Sequence, residues 1–526
     1  MLNKTLAWVI LFLVSTGSIF AQSAPENWFN LDKKSDKIWG VSTEKAYELL
    51  KDKTSVTVVV GILDSGVDED HEDLKNVMWV NKNEIADNNV DDDNNGYVDD
   101  IYGWNFIGGK NGNVEQDSYE LTRVYKKLSA KFETMTEATM TDSEKKEYGE
   151  FLKLKVDFLQ KSIQAKAMFQ TLSKSKKRFD DIEAAIGKGE NITLDDLKNY
   201  KASSSVEATV IEKLTTYLAA GEKYATLKAD FMEAYNHYDK EANFGYNIDF
   251  DPRSIVGDNY DDPNDNHYGN NDVTGPDASH GTHVAGIVAA QRDNALGVKG
   301  VANNVKIMSV RCVPDGDERD KDVANAIRYA VDNGAKVVNM SFGKGFSWDK
   351  TMVDAAVKYA ESKDVLLVHG AGNDAKNIDS NINYPNPYYA IDNRRAENWL
   401  EVGASSWNTG KQRLGNFSNY GKKKVDIFAP GVAIYSTIPN SKYASFNGTS
   451  MASPCAAGVA ALIRSYFPDL TAAQVRTILI KSVTKMKGKT YLPGTKKAVK
   501  LKSICVSGGV INAAKAIKLA DKLSKY

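Results

Sequence analysis

Three residues of the kinds that acyl transfer requires stand in three distinctive contexts. Gly448-Thr449-Ser450-Met451-Ala452-Ser453-Pro454 leads into an Ala-rich apolar run to Ile463, which predicts a helix with Ser450 in its first turn. A hydroxyl there lies beside unpaired backbone N–H groups and the positive end of the helix dipole, which favours a developing oxyanion. His280 opens His280-Gly281-Thr282-His283-Val284-Ala285-Gly286, where a loop runs into an apolar helical segment. Asp64 ends the run Val60-Gly61-Ile62-Leu63, at the carboxyl end of a predicted buried strand. Singly, each has a blander reading as a helix cap, a packed imidazole or a strand-end cap. Together they divide the work of acyl transfer. Serine loses its proton as it attacks, imidazole titrates near neutrality and can take it, and a carboxylate holds the imidazole tautomer.

The elements that must position them follow from hydrophobic patterning. Thr57–Leu63, Val305–Val310, Lys336–Met340, Val365–Val368 and Leu400–Val402 are short runs rich in branched apolar residues and read as buried strands. Lys321–Asn333 and Asp349–Ser362 carry helical patterns between them. This alternation predicts an α/β fold with a mainly parallel sheet covered by helices on both faces. Open sheets of this kind assemble their sites at the carboxyl edge of the strands, where Asp64 lies. The composition is that of a globular protein: 526 residues, 42% hydrophobic and 26% charged. Its 67 Lys+Arg against 69 Asp+Glu leave a formal charge of −2, which gives no basis for nucleic-acid binding. Three cysteines, Cys312, Cys455 and Cys505, are too few for a disulfide scaffold, and Cys312 and Cys455 read as inert buried thiols.

The motifs around Asp64, His280 and Ser450 resemble those of the subtilisin-like serine proteases, or subtilases, in the same chain order. Val338-Asn339-Met340-Ser341-Phe342-Gly343 is similar to the family's substrate-flanking strand, and Gly370-Ala371-Gly372-Asn373 to the segment that donates to the oxyanion. Phe417–Gly421 and Ile427–Gly431 resemble framework stretches. The resemblance covers about residues 50–115 and 245–526. It implies a three-layer subtilisin-like fold and a serine endopeptidase acting on protein or peptide substrates through an acyl-enzyme. Ser450 would be the nucleophile, His280 the base and then acid, and Asp64 its orienting carboxylate. Asn373 and the Ser450 N–H would form the oxyanion hole. Ser341, Phe342, Gly343, Gly370, Ala371 and Gly372 would bind substrate backbone, and Asn383 would line the primary specificity pocket. His283 is assigned a structural role. His71, His237, His267 and His369 have no evident partner and read as surface or packing residues. A silent peptide-binding relative and a helical interaction protein are the alternatives, both disfavoured by the retention of Asp64, His280, Ser450 and Asn373.

Calcium is the one cofactor expected. Asp91, Asp93, Asn95 and Asp99 place oxygen donors at positions 1, 3, 5 and 9 of a loop with Gly96 at 6, but Tyr102 replaces the closing Glu. The loop reads either as a calcium site or as a set of Asx turns. The family resemblance adds Asp73, with Asn294 as a companion ligand.

Residues 1–21, with Lys4 ahead of an apolar stretch and small residues near Ala21, read as an export signal, followed by an N-terminal extension over 22–50. The peptidase domain would occupy 51–526, interrupted by a helical insertion over 116–243. That block has no proline and is rich in Lys, Glu, Ala and Leu. Tyr148, Leu152, Val156, Leu159 and Ile163 predict one buried helix face in it. It reads either as a lid or as a solvated elaboration. The mature protein is expected to have no membrane span, to be a monomer, and to reside in the periplasm, on the cell surface or outside the cell.

Overall fold

The computed structural model describes residues 24–525, so the expected export signal at 1–21 lies outside the described residues. Among the described residues two compact units are present, one formed by residues 24–120 with 251–525 and the other by Leu121–Phe250. The helical unit therefore begins and ends a few residues later in the chain than the patterning over 116–243 suggests.

The first unit is built on a nine-stranded sheet. Its strands are β1 (Val58–Asp64), β2 (Gly103–Asn105), β3 (Val305–Arg311), β4 (Val337–Met340), β5 (Leu366–Gly370), β6 (Trp399–Ser405), β7 (Ile427–Pro430), β10 (Thr484–Lys485) and β11 (Gly509–Val510). A separate hairpin pairs β8 (Ile434–Ile438) with β9 (Lys442–Phe446). The order across the sheet is β10-β11-β7-β6-β5-β4-β1-β3-β2, parallel throughout except for the β10–β11 pair. The mainly parallel α/β architecture expected from the sequence is the one found.

Period-two side-chain alternation divides the sheet between two cores. Val58, Val60, Ile62, Ile307, Leu366, Val368, Leu400 and Val402 pack with the helices Ser279–Ala289 and Thr449–Tyr466. Leu63, Met308, Val310, Val338, Met340, Leu367 and Trp399 pack on the other face with Asp320–Asp332 and Lys350–Ser362. Burial on both faces explains why these strands read as continuous apolar runs. The chain passes from β3 on one side of β1 to β4 on the other, so β1 and β4 lie where the strand order reverses, the place at which open sheets form a crevice. Asp64 ends β1, and Ser341 directly follows Met340, the last residue of β4.

The second unit is all-helical and centres on the 45-residue helix Asp142–Ile186. Thr141 and Glu144 form a reciprocal capping box at its start, and Thr193 and Asp196 form another at the helix Leu194–Asn199. Each cap satisfies backbone N–H groups that the first turn of its helix would otherwise leave unpaired. The first half of the long helix packs Phe151 against Phe132 and Met140, with Tyr125 stacked on Phe158 at 4.2 Å between ring centroids. Its second half packs Leu172, Phe179 and Ile182 against Val210 and Leu214 and against Leu227 and Phe231 of the helices Ser205–Ala219 and Tyr224–Lys240.

Of the predicted buried face only Tyr148 packs, beside Phe132 and Phe151. Leu152, Val156, Leu159 and Ile163 are exposed, Val156 and Ile163 by about two thirds, whereas Phe151, Phe158, Ser162, Ala165, Leu172, Ser175, Phe179 and Ile182 are buried. Exposed aliphatic residues and small buried serines blur the amphipathic contrast along this helix.

Candidate active site

Asp64 is held from three directions at the end of β1. Its carbonyl accepts from the Cys312 and Val313 N–H groups at 3.0 and 3.2 Å, and Arg311 Nε donates to the adjacent Ser65 carbonyl at 2.9 Å. The carboxylate, 2% exposed, accepts from the Ser65 N–H at 2.8 Å and meets His280 Nδ1 at 2.7 Å through the same Oδ1. The approach depends on Gly281, where a Cβ would come within 2.1 Å of the Gly66 carbonyl oxygen. A neutral ring whose Nδ1 donates to a carboxylate keeps Nε2 free to accept a proton.

Burial, the largest influence on His280, disfavours its imidazolium. The charge and hydrogen bond of Asp64, with the more distant charge of Asp277, outweigh it and raise the pKa above the ordinary value of 6.5. His283, one turn on, behaves oppositely. Burial and the charge of His280 push it down to about 3, its Nε2 faces the Ile434 and Ala444 carbonyls at 3.0 and 3.2 Å, and its ring stacks on Phe446. That is the structural role expected for it.

Ser450 lies half-buried in the first turn of the helix Thr449–Tyr466, which packs on the helix bearing His280. Its hydroxyl donates to the Ser341 carbonyl at 3.1 Å, and the Ser341 hydroxyl donates back to the Ser450 carbonyl at 2.9 Å. The serine thus sits against the segment that continues β4. In this rotamer Oγ is engaged with Ser341 rather than with His280.

Asn373 is exposed, yet its orientation is fixed. Oδ1 accepts from the Thr449 N–H at 2.9 Å and the Thr449 hydroxyl at 3.0 Å, so the amide must present its NH2 on the opposite side. The Thr449 hydroxyl also accepts from the Gly372 N–H at 3.0 Å, tying the segment Gly370–Gly372 to the start of the Ser450 helix. Thr449, which the sequence reading passed over as part of the nucleophile motif, is what joins the two segments. The Ala371 carbonyl is turned inward and accepts from Asn419 Nδ2 at 2.9 Å. Asn383 lies between the segments: a Cβ on Gly343 would come within 3.1 Å of its amide, and one on Gly372 within 3.5 Å.

The acidic loop is arranged differently from the pattern in the sequence. Asp91 accepts from the Asn95 and Gly96 N–H groups and Asn95 from the Tyr97 N–H, which are local turn contacts, while Asp99 reaches back to accept from the Asn88 and Asn89 N–H groups. Of the four expected ligands only Asp93 belongs to a convergent acidic group. Its carboxylate and those of Glu84 and Asp100 offer oxygens within 4.8 Å of one another. Glu84 and Asp100 were missed because Glu84 precedes the linear loop pattern and folds back onto it, and Asp100, inside the loop, is off the pattern's donor positions. Burial pushes Asp100 up to about 6, offset in part by hydrogen bonds from Tyr329, Asn81 and Asn95. Asp73 and Asn294 do meet, with Nδ2 donating to Oδ1 at 2.7 Å, and burial raises the Asp73 pKa. The three cysteines are free, and burial raises each thiol's pKa, as inert thiols require.

The Subtilase family model matches residues 55–498, more than half of the chain. Over 188 residues the chain is 45% identical to the thermophilic serine proteinase of Bacillus sp. (strain AK1), a match covering 36% of this chain and 43% of that one. Over 214 residues it is 39% identical to subtilisin DY of Bacillus licheniformis, covering 40% of this chain and 73% of the relative. The first match thus spans under half the relative's length. A solved protease structure from Pseudoalteromonas arctica aligns over 95% of this chain and 98% of its own, with 20% identity and a TM-score of 0.48.

Proposed function

The chain belongs to the subtilase family, and from that premise we propose that it is an exported serine endopeptidase using Ser450, His280 and Asp64. The observation that carries this reading is the 2.7 Å contact between Asp64 Oδ1 and His280 Nδ1, made across 216 positions of chain. It lies at the strand edge where Ser341 touches Ser450.

A peptide lies extended beside Ser341–Gly343. Ser450 Oγ rotates from the Ser341 carbonyl to His280, gives its proton to Nε2 and attacks the scissile carbonyl carbon. Asn373 Nδ2 and the Ser450 N–H receive the oxyanion, and Asp64 stabilises the imidazolium without taking its proton. His280 then protonates the leaving amine, which departs and leaves the acyl-enzyme. Water, deprotonated by His280, attacks the ester carbonyl; as the carbon–Oγ bond breaks His280 returns that proton to Ser450 Oγ, and the acid product leaves. Labelling with a serine-directed phosphonate tests the reading: one adduct on Ser450, absent in Ser450→Ala, is the expected result.

Calcium is proposed as a structural ion. Carboxylate oxygens suit a hard cation, and Glu84, Asp93 and Asp100 would hold it; a second site at Asp73 and Asn294 would require the Asn294 amide to turn its oxygen inward, since its Nδ2 now donates to Asp73. Protein or peptide substrates, a monomeric state and a location beyond the cytoplasmic membrane complete the proposal. No helix among the described residues is long and apolar enough to cross a membrane. Fractionation of the producing cells and sedimentation of the purified protein test these last two points.

A further inference from the structure

We propose that His369, backed by Glu401, is a positioning residue that aims the Gly343 N–H at the substrate backbone. This rests on the endopeptidase reading. His369 on β5 and Glu401 on β6 are 0% and 3% exposed, in strands whose neighbouring positions are Leu, Val and Gly. Two ionisable groups inside a parallel sheet are costly unless every polar atom is engaged. Here they are. The two residues stand opposite each other in the β5–β6 register, with His369 Nδ1 3.0 Å from Glu401 Oε1. Glu401 Oε2 accepts from Trp399 Nε1 at 2.8 Å, and His369 Nε2 lies 2.8 Å from the Phe342 carbonyl oxygen. A carbonyl can only accept, so Nε2 carries a proton, and a second proton held between Nδ1 and Glu401 Oε1 makes the contact that fixes the ring in the orientation that delivers it.

The anchored carbonyl has a geometric consequence. In a planar trans peptide the Phe342 C=O and the Gly343 N–H point in opposite directions. Drawing the carbonyl toward His369 in the sheet therefore turns the Gly343 N–H outward, at an exposed residue. On the other side of Phe342, the Ser341 carbonyl faces Ser450 Oγ at 3.1 Å. Alternate carbonyls of an extended segment point to opposite sides, so one anchor in the middle sets both flanking groups that a substrate strand would pair with. A peptide that extends several residues before the cleaved bond uses the Gly343 pairing; an ester of a single acylated amino acid does not reach it.

The test compares a tetrapeptide anilide with such a single-residue ester. His369→Leu is expected to lower kcat/KM on the tetrapeptide about tenfold, mainly through KM, and to leave ester hydrolysis within about twofold. Glu401→Gln, whose amide can still face Nδ1, is expected to stay within about threefold of the unmodified enzyme on both substrates. Equal losses on both substrates, or none on either, would overturn the proposal. Should His369→Leu fail to fold, histidine-selective 15N spectra of the full chain decide, assigned with His369→Gln. A slowly exchanging Nε2–H supports the anchor, and an unprotonated Nε2 overturns it. If the unmodified enzyme cleaves neither substrate, the endopeptidase reading itself falls and takes this inference with it. Cleavage of both with no selectivity in the variant sinks this inference alone.

Discussion

Asp117 and Asp251, which flank the helical unit in the chain, are held by one guanidinium. Arg319 donates to Asp117 at 2.7 and 2.9 Å and to Asp251 at 2.8 Å. All three residues belong to the first unit, and each unit buries apolar clusters made of its own residues. Replacing residues 121–250 with a short Gly/Ser linker should leave a soluble protein that cleaves a small chromogenic peptide within about tenfold of the full chain, under about 1.4 kcal/mol of barrier. If the unit also serves as a lid, degradation of a folded protein should accelerate, which a casein-versus-folded-substrate comparison measures. An insoluble product would make the helical unit part of the folding core.

The chemical roles predict a graded set of losses. Ser450→Ala and His280→Ala should each abolish measurable turnover, because nucleophile and base act as one unit. Asn373→Ala should lower kcat by roughly 10²–10³, the loss typical of one oxyanion donor in this family, with little change in KM. Thr449→Val removes one of the two donors to Asn373 Oδ1 but keeps the backbone N–H, so a smaller loss in kcat is expected. Steady-state kinetics on one peptide substrate ranks all four, and a Thr449→Val effect exceeding that of Asn373→Ala would contradict the assignment.

His280 should set the acid limb of activity. Only the neutral ring accepts the serine proton, and its pKa lies above 6.5 because Asp64 outweighs the effect of burial. The limb of kcat/KM should therefore rise at a pH above the ordinary histidine value. The sign for stability is the reverse: a raised folded pKa stabilises most below about 6.5, and that contribution fades as pH rises through the folded value. His283, held near 3 by burial and the His280 charge, contributes stability above about 6.5 that is lost as pH falls toward its folded value. NMR titration of both rings in the Ser450→Ala variant checks the order. Coincident titration near 6.5 would refute both environments.

What could be read from the sequence was local, and what could not depended on partners distant in the chain. Asp64, His280 and Ser450 each sit at a strand end or helix start whose own neighbours signal that position, so the fold was visible and the proposed catalytic set could be named. His369 appeared to lack a partner because Glu401 becomes its neighbour only through the β5–β6 register. The helix face failed for a different reason. Phe151, Phe158, Ala165, Leu172 and Phe179 recur every seven residues, the seam of a long packed helix, while Leu152, Val156, Leu159 and Ile163 repeat at three- and four-residue steps along an exposed face and mimic such a seam. In the acidic loop, turn contacts and ion ligands call for the same residue types, and the chain's path decides which carboxylates converge.

Calcium binding should be seen in stability before activity. The convergent trio of Glu84, Asp93 and Asp100 places carboxylate oxygens within 4.8 Å of one another, with Glu84 and Asp100 buried. Like charges at that separation repel, and a divalent cation bound only by the folded chain offsets the repulsion and stabilises by mass action. At a free concentration one hundred times Kd the gain is about 2.7 kcal/mol, or a few degrees in Tm for a domain of this size. Millimolar calcium should therefore raise Tm relative to chelator. Asp93→Asn removes one charge while keeping an oxygen donor and should shrink the shift; Glu84→Gln should do the same. Asp91→Asn is the informative control, because Asp91 accepts from the Asn95 and Gly96 N–H groups and lies outside the trio. It should lower Tm equally in calcium and in chelator, leaving the calcium shift unchanged. If instead Asp91→Asn abolishes the shift and Asp93→Asn does not, the ion is held by the linear loop pattern rather than by the three carboxylates that the fold brings together.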